Sequence, residues 1–286
     1  MPPAEITPAP VLPTIWELPE ELWERIEPIL VRRYPRAATG RPRADLRLVL
    51  EGIVYRLRSG VQWNQLPRRF GADSTVHAWF QRLVEDGVLE EIWAELVAEC
   101  DALGAVSWAW QAADGVMGKS RFDGGARGPN PTDRAKIGTK KSVLVEEHGG
   151  PLAVAIDGAN VHDTKLLERT IDAIVIERPD PEQVVQNLCL DKGYDNPTGE
   201  AACATAGYVP HIRRIGEEKL DTWGEKTHPA RRWVVERTIA WLQKCRALLI
   251  RYDKKAQNYK GLIQLACALL WYRRLHRLNH TDGVSG

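Results

Sequence analysis

Hydrophobic positions recur at three- and four-residue spacing from Leu18 onward: Leu22, Trp23, Ile26, Ile29 and Leu30 fall on one face of a helix. Pro19 suits the first turn of that helix, and Pro28 predicts a kink within it. A basic loop with Pro35, Gly40 and Pro42 follows. Leu46, Val49, Leu50, Ile53, Val54 and Leu57 form a second stripe, closed by Ser59-Gly60. A short segment with Trp63 and Leu66 stops at Pro67 and Gly71. Ser74 is then the expected cap of a third helix whose inner face is Val76, Trp79, Phe80, Leu83 and Val84. Helix, short turn, short helix and capped helix predict a small all-α, helix-turn-helix-like domain over residues 18–103. Thr75, His77, Gln81 and Arg82 lie largely off the apolar stripe, as residues that read base edges would. A packing or dimerisation module would show the same pattern.

After Leu103-Gly104 the pattern changes. Ala105–Ala113 reads as a strand stopped by Asp114-Gly115, residues 118–139 as a basic loop, and Ser142–Val145 with Leu152–Ile156 as a hairpin about Gly149-Gly150. Thr164–Ile176 predicts a helix, Val184–Leu190 a strand ending at Asp191, Pro197–Ala206 a helix closed by Gly207, and Tyr208–Ile212 another strand. From Arg231 to Arg277 nearly everything reads as helix. Its last stripe, Tyr259, Leu262, Ile263, Ala266, Leu269 and Leu270, is suited to packing on the sheet or pairing subunits. Strands, then an alternation, then a long helical stretch fit an α/β layer over residues 104–280. The Pro-rich residues 1–17 are expected to be disordered.

Composition adds exclusions. With 44% apolar, 27% charged and 7% aromatic residues in 286, the chain is neither a disordered nor a fibrous sequence. It has no apolar run long enough to span a membrane and no signal-peptide order at its start, which predicts a soluble cytoplasmic, nucleoid-associated protein. Five cysteines (Cys100, Cys189, Cys203, Cys245, Cys267) without a C-x-x-C pair argue against a disulfide framework or a zinc site.

The net charge of +1 hides segregation. Residues 25–82 hold 12 Arg against four acids, residues 119–141 seven basic groups against two acids, and residues 231–277 twelve against two. Residues 142–230 carry the acidic excess. Converging basic tracts would make a polyanion surface; separate tracts would be solvated helix faces.

Three acids stand out. Asp114 and Asp191 each follow a predicted strand and precede a glycine-containing turn, and ligands collect at such strand ends. Glu236 lies on a predicted helix. Together they would make a hard, all-oxygen site for Mg²⁺ or Mn²⁺, and two such ions about 4 Å apart can activate and stabilise the oxygens of a phosphodiester displacement. Singly, each acid has a structural alternative: a turn former, or for Glu236 a partner of Arg232 one turn earlier. Asp123, Asp133 and Asp157 are rivals of Asp114. Trp233 and Trp241, two turns apart, read mainly as core, with base stacking as the alternative.

The order of motifs sharpens this. W-N-Q-L-P begins at Trp63, G-P-N-P-T-D-R-A-K-I-G-T-K-K spans 128–141 and G-P-L-A-V begins at Gly150. G-A-N-V-H-D spans 158–163, L-D-K-G-Y-D spans 190–195 and R-R-W-V-V-E-R-T-I-A-W spans 231–241. From Leu18 to Arg277 the chain resembles bacterial insertion-sequence transposases of the DDE class, closest to the insertion-sequence 5 family. The resemblance implies an RNase H-like catalytic domain, a mixed sheet flanked by helices, behind the helical domain. It implies a triad of Asp114, Asp191 and Glu236 holding two Mg²⁺ ions, for which Mn²⁺ can substitute. It further implies binding of double-stranded DNA at the terminal inverted repeats, cleavage at the transposon ends and joining of the freed 3′-OH to target DNA. A homodimer or higher homo-oligomer is implied as well. Arg232, Arg237, Lys136, Lys140, Lys141 and Lys192 are candidates for phosphate contacts. Pro229 and Gln243 stand where the wider family has Tyr and Lys, with Lys244 one step on. The alternatives are a non-catalytic DNA-binding relic or regulator, and a repair nuclease of the same fold.

Overall fold

The computed structural model describes residues 17–36, 39, 42–212 and 232–281. The expected disorder before residue 17, the middle of the basic loop, Pro229 and Arg231 lie outside the described residues. The chain begins with a helical layer. In α1 (Glu20–Arg33) Pro19 sits one position outside, as N-cap, and Pro28 lies inside. Asp45 starts α2 (Leu46–Ser59): its Oδ1 accepts the N–H groups of Arg47 and Leu48 at 2.9 and 3.3 Å. Gly60 ends that helix at φ 72°, a left-handed conformation that glycine adopts freely. Residues 60–72 hold two 3₁₀ turns, Trp63–Gln65 and Arg68–Phe70, so the connection to α3 (Asp73–Glu85) is longer than the three or four residues of a tight helix-turn-helix. Ser74 lies inside the first turn of α3; Ala72 is the N-cap and no side chain caps it, contrary to expectation.

A fourth helix, α4 (Val88–Ala102), lies beyond the three expected from the pattern. It starts at Gly87, φ 72°, without a polar capping side chain, which removes the usual start signal. Leu89, Ile92, Trp93, Leu96 and Cys100 bury it against α8 (Ala256–Thr281).

The sheet is built on β1 (Trp110–Ser120), which pairs antiparallel with β3 (Ile137–Glu146) along nearly its whole length. In turn β3 pairs antiparallel with β4 (Pro151–Gly158), and a short β2 (Gly128–Pro129) extends that edge. On the other side β1 pairs parallel with β5 (Gln186–Leu190), which pairs parallel with β6 (Tyr208–Ile212). The order β4-β3-β1-β5-β6, an antiparallel meander followed by parallel crossovers, is the RNase H-like arrangement. Helices α5 (Asp163–Ile171) and α6 (Pro197–Thr205) pack together, α5 on β3 and β4, while α7 (Trp233–Gln243) packs on β1 and β3.

Three sequence expectations are corrected. The strand does not stop at Asp114 but continues to Ser120, and β3 begins at Ile137, so much of the expected basic loop is paired strand. Residues 231–277 are not one helical run: β7 (Ile250–Arg251) intervenes between α7 and α8 and pairs parallel with Lys119 and Ser120. Nor is α8 amphipathic. Nearly every position from Tyr259 to Tyr272 is buried, because the helical layer covers one side and the sheet the other.

That double burial makes one continuous core. Trp93 of α4 and Trp271 of α8 both donate their indole N–H to the carbonyl oxygen of Pro151, at 3.1 and 2.6 Å, so two helices and β4 meet at one acceptor. Glu146, fully buried, accepts from the N–H groups of His148 and Gly150 and from Arg274 of α8, fixing the β3–β4 turn. All five cysteines are buried free thiols. Among the described residues no helix is long and apolar enough to cross a membrane.

Arg251 shows how tightly the basic tracts are used internally. Its buried guanidinium donates to the carbonyl oxygens of Gly125, Ala126, Asp253 and Lys254 and to Thr139 Oγ1, pinning the 121–127 segment to the sheet. Replacing it leaves several buried acceptors unpaired, so Arg251→Ala is expected to lower unfolding free energy by about 3 kcal/mol or more, read from the urea midpoint.

Candidate active site

The pairing of β1 decides where the acids fall. Trp110, Gln111 and Ala112 lie opposite Asn187, Leu188 and Cys189 of β5, and the same register carried on sets Asp114 level with Asp191. There β5 has ended: Asp191 caps a 3₁₀ turn, Lys192–Tyr194, by accepting the Gly193 N–H at 3.3 Å. The edge of β1 is taken up again by β7 only at Lys119. Among the described residues, Ala113 to Gly118 therefore have no ladder partner on that edge, and the sheet opens beside Asp114.

The face is set by alternation. A Cβ on Gly115 would fall on Oδ1 of Asp163, at the start of α5, so position 115 faces α5 and Asp114 faces the opposite side, where α7 lies. On α7, Arg232 at the N-cap and Glu236 share a face. The Arg232 guanidinium is 3.3 Å from Asp191 Oδ1 and 3.2 Å from Glu236 Oε1, joining the second and third acids through one cation.

Asp114 completes the group electrostatically. Its carboxyl is pushed up to about 6, first by burial and then by the charges of Asp191 and Glu236, against the lowering pull of the Gly115 N–H and Arg232. The Gly115 N–H contact is 2.7 Å. Three carboxylates thus converge, but they are not drawn together as a closed cage. Among the described residues the one set of three or more His, Cys, Asp or Glu ligand atoms lying within 4.8 Å of one another is elsewhere, at Glu21, His276 and His280. Like charges cannot close up without a cation between them, and here Arg232 stands in that place. The donor set, three carboxylates with one raised to about 6 chiefly by burial, fits hard divalent cations.

Two further residues at the site, Asp163 and Tyr194, lie in the G-A-N-V-H-D and L-D-K-G-Y-D motifs but are not among the candidate site residues read from the sequence. Asp163 sits over Gly115 and binds Lys140 Nζ at 3.0 Å. Tyr194 is buried, and burial with the charges of Asp163, Asp114 and Asp191 holds its phenol protonated. His162 caps α5 through its ring nitrogen.

The other predicted residues are placed as follows. Lys192 is exposed, and Lys136 is exposed with Asp133 at 3.5 Å. Lys140 is buried on Asp163. Lys141 is 4% exposed, donates to the Leu248 carbonyl oxygen at 3.0 Å, and burial pulls its ammonium down to about 8, so its charge is spent inside. Arg237 is held between the rings of Trp233 and Trp241, 4.7 and 4.8 Å away, and donates to the His148 carbonyl oxygen. Trp233 is 55% exposed and is not core. On α3, Thr75 is exposed, Gln81 bonds His77 at 3.0 Å and Arg82 lies over Tyr34 and Trp79.

Comparison with known proteins gives the family. Residues 112–271, from the start of β1 into α8, match the family model "Transposase DDE domain", and residues 18–93 match "Putative transposase of IS4/5 family". The chain belongs to the DDE transposase family. It is 34% identical over 169 residues to the "Putative transposase for insertion sequence element IS402" of Burkholderia cepacia, covering 58% of this chain and 78% of that relative. It is 33% identical over 101 residues to a 16.2 kDa protein of insertion element IS402, covering 33% of this chain and 67% of that one. Among solved structures, the Mos1 mariner paired end complex with Mn aligns over 88% of this chain and 86% of that one, at 11% identity and a TM-score of 0.26. The fold of the transposase rests on its strand order instead.

The raised carboxyl of Asp114 has a measurable cost. Its folded value lies above the ~3.9 of an unfolded aspartate, so the stability tied to it is present below about pH 4 and lost as pH rises through about 6. Asp114→Asn is therefore expected to raise unfolding free energy by about 2 kcal/mol above pH 6, with no gain below about pH 4, in urea titrations with chelator present.

Proposed function

We propose that this transposase cleaves DNA at the ends of its insertion sequence and joins the freed 3′-OH to target DNA, with Asp114, Asp191 and Glu236 as ligands of two divalent metal ions. The observation that carries the reading is the convergence of these acids, from β1, the β5 end and α7, around Arg232. Bound Mg²⁺ or Mn²⁺ would supply an activated oxygen nucleophile and charge stabilisation of the leaving oxygen. The chain's own part is positional. β1 fixes Asp114 by its pairing with β3 beside the gap between β5 and β7, the Gly193 N–H orients Asp191, and Arg232 holds Glu236 and Asp191 toward each other. Arg232 is half exposed and also lies within reach of a phosphate bound at the acids.

Residues 18–103 are proposed as the module that binds the terminal repeats, and residues 104–280 as the catalytic domain. Support for a DNA path comes from a groove of about 1310 Å³ on the far side of α7. Arg237, Lys244, Arg273 and Arg277 line it with Trp233 and Trp241, a cationic and aromatic surface suited to a nucleic-acid backbone and its bases. Joining two ends calls for at least a dimer.

The test is nicking of a duplex carrying the terminal inverted repeat, with Mg²⁺ or Mn²⁺. Wild type is expected to cut at the repeat boundary. Asp114→Ala, Asp191→Ala and Glu236→Ala should each lower the rate by about a thousandfold, in line with what a lost group that stabilises transition-state charge costs. Equal cutting by wild type and Asp191→Ala, or none by wild type with either metal, overturns the reading.

A further inference from the structure

The end of α8 holds a second group of metal-ligating side chains. His276 and His280 stand one turn apart on α8 and both face Glu21 in the first turn of α1. His276 Nδ1 is 2.9 Å from Glu21 Oε2, His280 Nε2 is 3.6 Å from Glu21 Oε1, and the two rings lie 4.0 Å apart. A tetrahedral cation with bonds of ~2.0–2.1 Å spaces its ligand atoms about 3.4 Å apart, between those two distances. Little movement separates this arrangement from a coordinated one, in which the cation displaces the proton that His276 Nδ1 now shares with Glu21, to solvent or to Nε2.

The surroundings support the same assignment. His280 Nδ1 bonds the His276 carbonyl oxygen at 2.7 Å, which places the proton on Nδ1 and leaves the Nε2 lone pair toward Glu21. Glu21 is held in its charged form, first by the hydrogen bond from His276. Arg25, a nearby cation, is neutralised by both oxygens of Glu99 at 2.7 and 2.8 Å. Burial and the charge of Glu21 push the Tyr272 phenol up to about 12, so it remains a neutral neighbour.

We propose that Glu21, His276 and His280 form a binding site for a first-row transition cation, Zn²⁺ foremost, with the fourth position open to water. Two imidazoles and a carboxylate select Zn²⁺, Co²⁺ or Ni²⁺ over Mg²⁺, so the site is chemically separate from the carboxylate triad. The bound cation clips the first helix of the helical layer to the end of the helix at the centre of the core. The absence of paired cysteines does not bear on a site of this composition.

Titration of the chelator-treated, tag-free chain with Zn²⁺ and with Co²⁺ tests it. Wild type and Asp191→Ala are expected to bind one equivalent, to show the visible absorption of four- or five-coordinate Co²⁺, and to melt roughly 5 °C higher at hundredfold excess over Kd. His280→Ala, at an exposed position, and Glu21→Gln should lose the spectrum and the shift. Wild-type binding that His280→Ala leaves intact, binding that Asp191→Ala abolishes, or no Co²⁺ spectrum in wild type overturns the proposal. None of these readouts depends on DNA cleavage.

Discussion

A carboxylate that is buried next to two others is a liability, and the part of the molecule that matches the transposase DDE domain is organised to hold one. Asp114 loses solvation on β1 and meets the fields of Asp191 and Glu236, so its carboxyl is pushed up to about 6, above the ordinary aspartate range. The sheet can bear this because β1 is fixed by long antiparallel pairing with β3 and by β5 and β7 at its two ends. Among the described residues, Arg232 supplies the opposing charge that touches both other acids. A site that disfavours its own charges in this way gains from cations more than a relaxed surface site would, a trade of stability against function.

How much of this could be read from the chain depends on whether the signal was local. Asp191 was visible because β5 ends at Leu190 and the turn follows at once. Asp114 was identified from a strand end that does not exist: D-G-V-M-G-K-S, with two glycines and a lysine, lacks the look of a strand. It is held as one by partners about 25 residues away in β3 and more than a hundred away in β7. The same limit hid β7, which interrupts a run of helix-favouring residues only because Lys119 and Ser120 are there to pair with it. For α8 the error ran the other way. Its apolar positions were read as one stripe, whereas burial between the helical layer and the sheet uses the whole circumference.

The charge tracts also looked more available than they are. Arg25, Arg32 and Arg33 of α1 are paired with Glu99 and Glu91 of α4, Arg251 is consumed by backbone carbonyls, and Arg56 reaches Asp253 across the boundary between layers, both buried. Lys141 is turned into the core. Local sequence records that a residue is basic, whereas tertiary contact decides whether that charge is left for a ligand. The cations left around α7 and the end of α8, interleaved with tryptophans, are among those a polyanion can reach.

Charge balance bears on the role of Arg232 at the start of α7. Three ionised acids and Arg232 sum to −2, whereas two divalent cations bring +4, leaving +2 at the proposed site. In the proposed reaction a phosphodiester oxygen gathering negative charge would offset part of that excess, and the guanidinium would then be surplus to the carboxylates it now bridges. Arg232 sits at the helix N-cap, half exposed, where a side-chain rotation frees it from Asp191 and Glu236 without disturbing the buried Val234 and Val235 beneath. The residue that bridges two of the acids without metal would thus be placed to turn to a substrate phosphate were cations to take over its role. It links the electrostatics of the bare site to those of a loaded one without any rearrangement of the sheet.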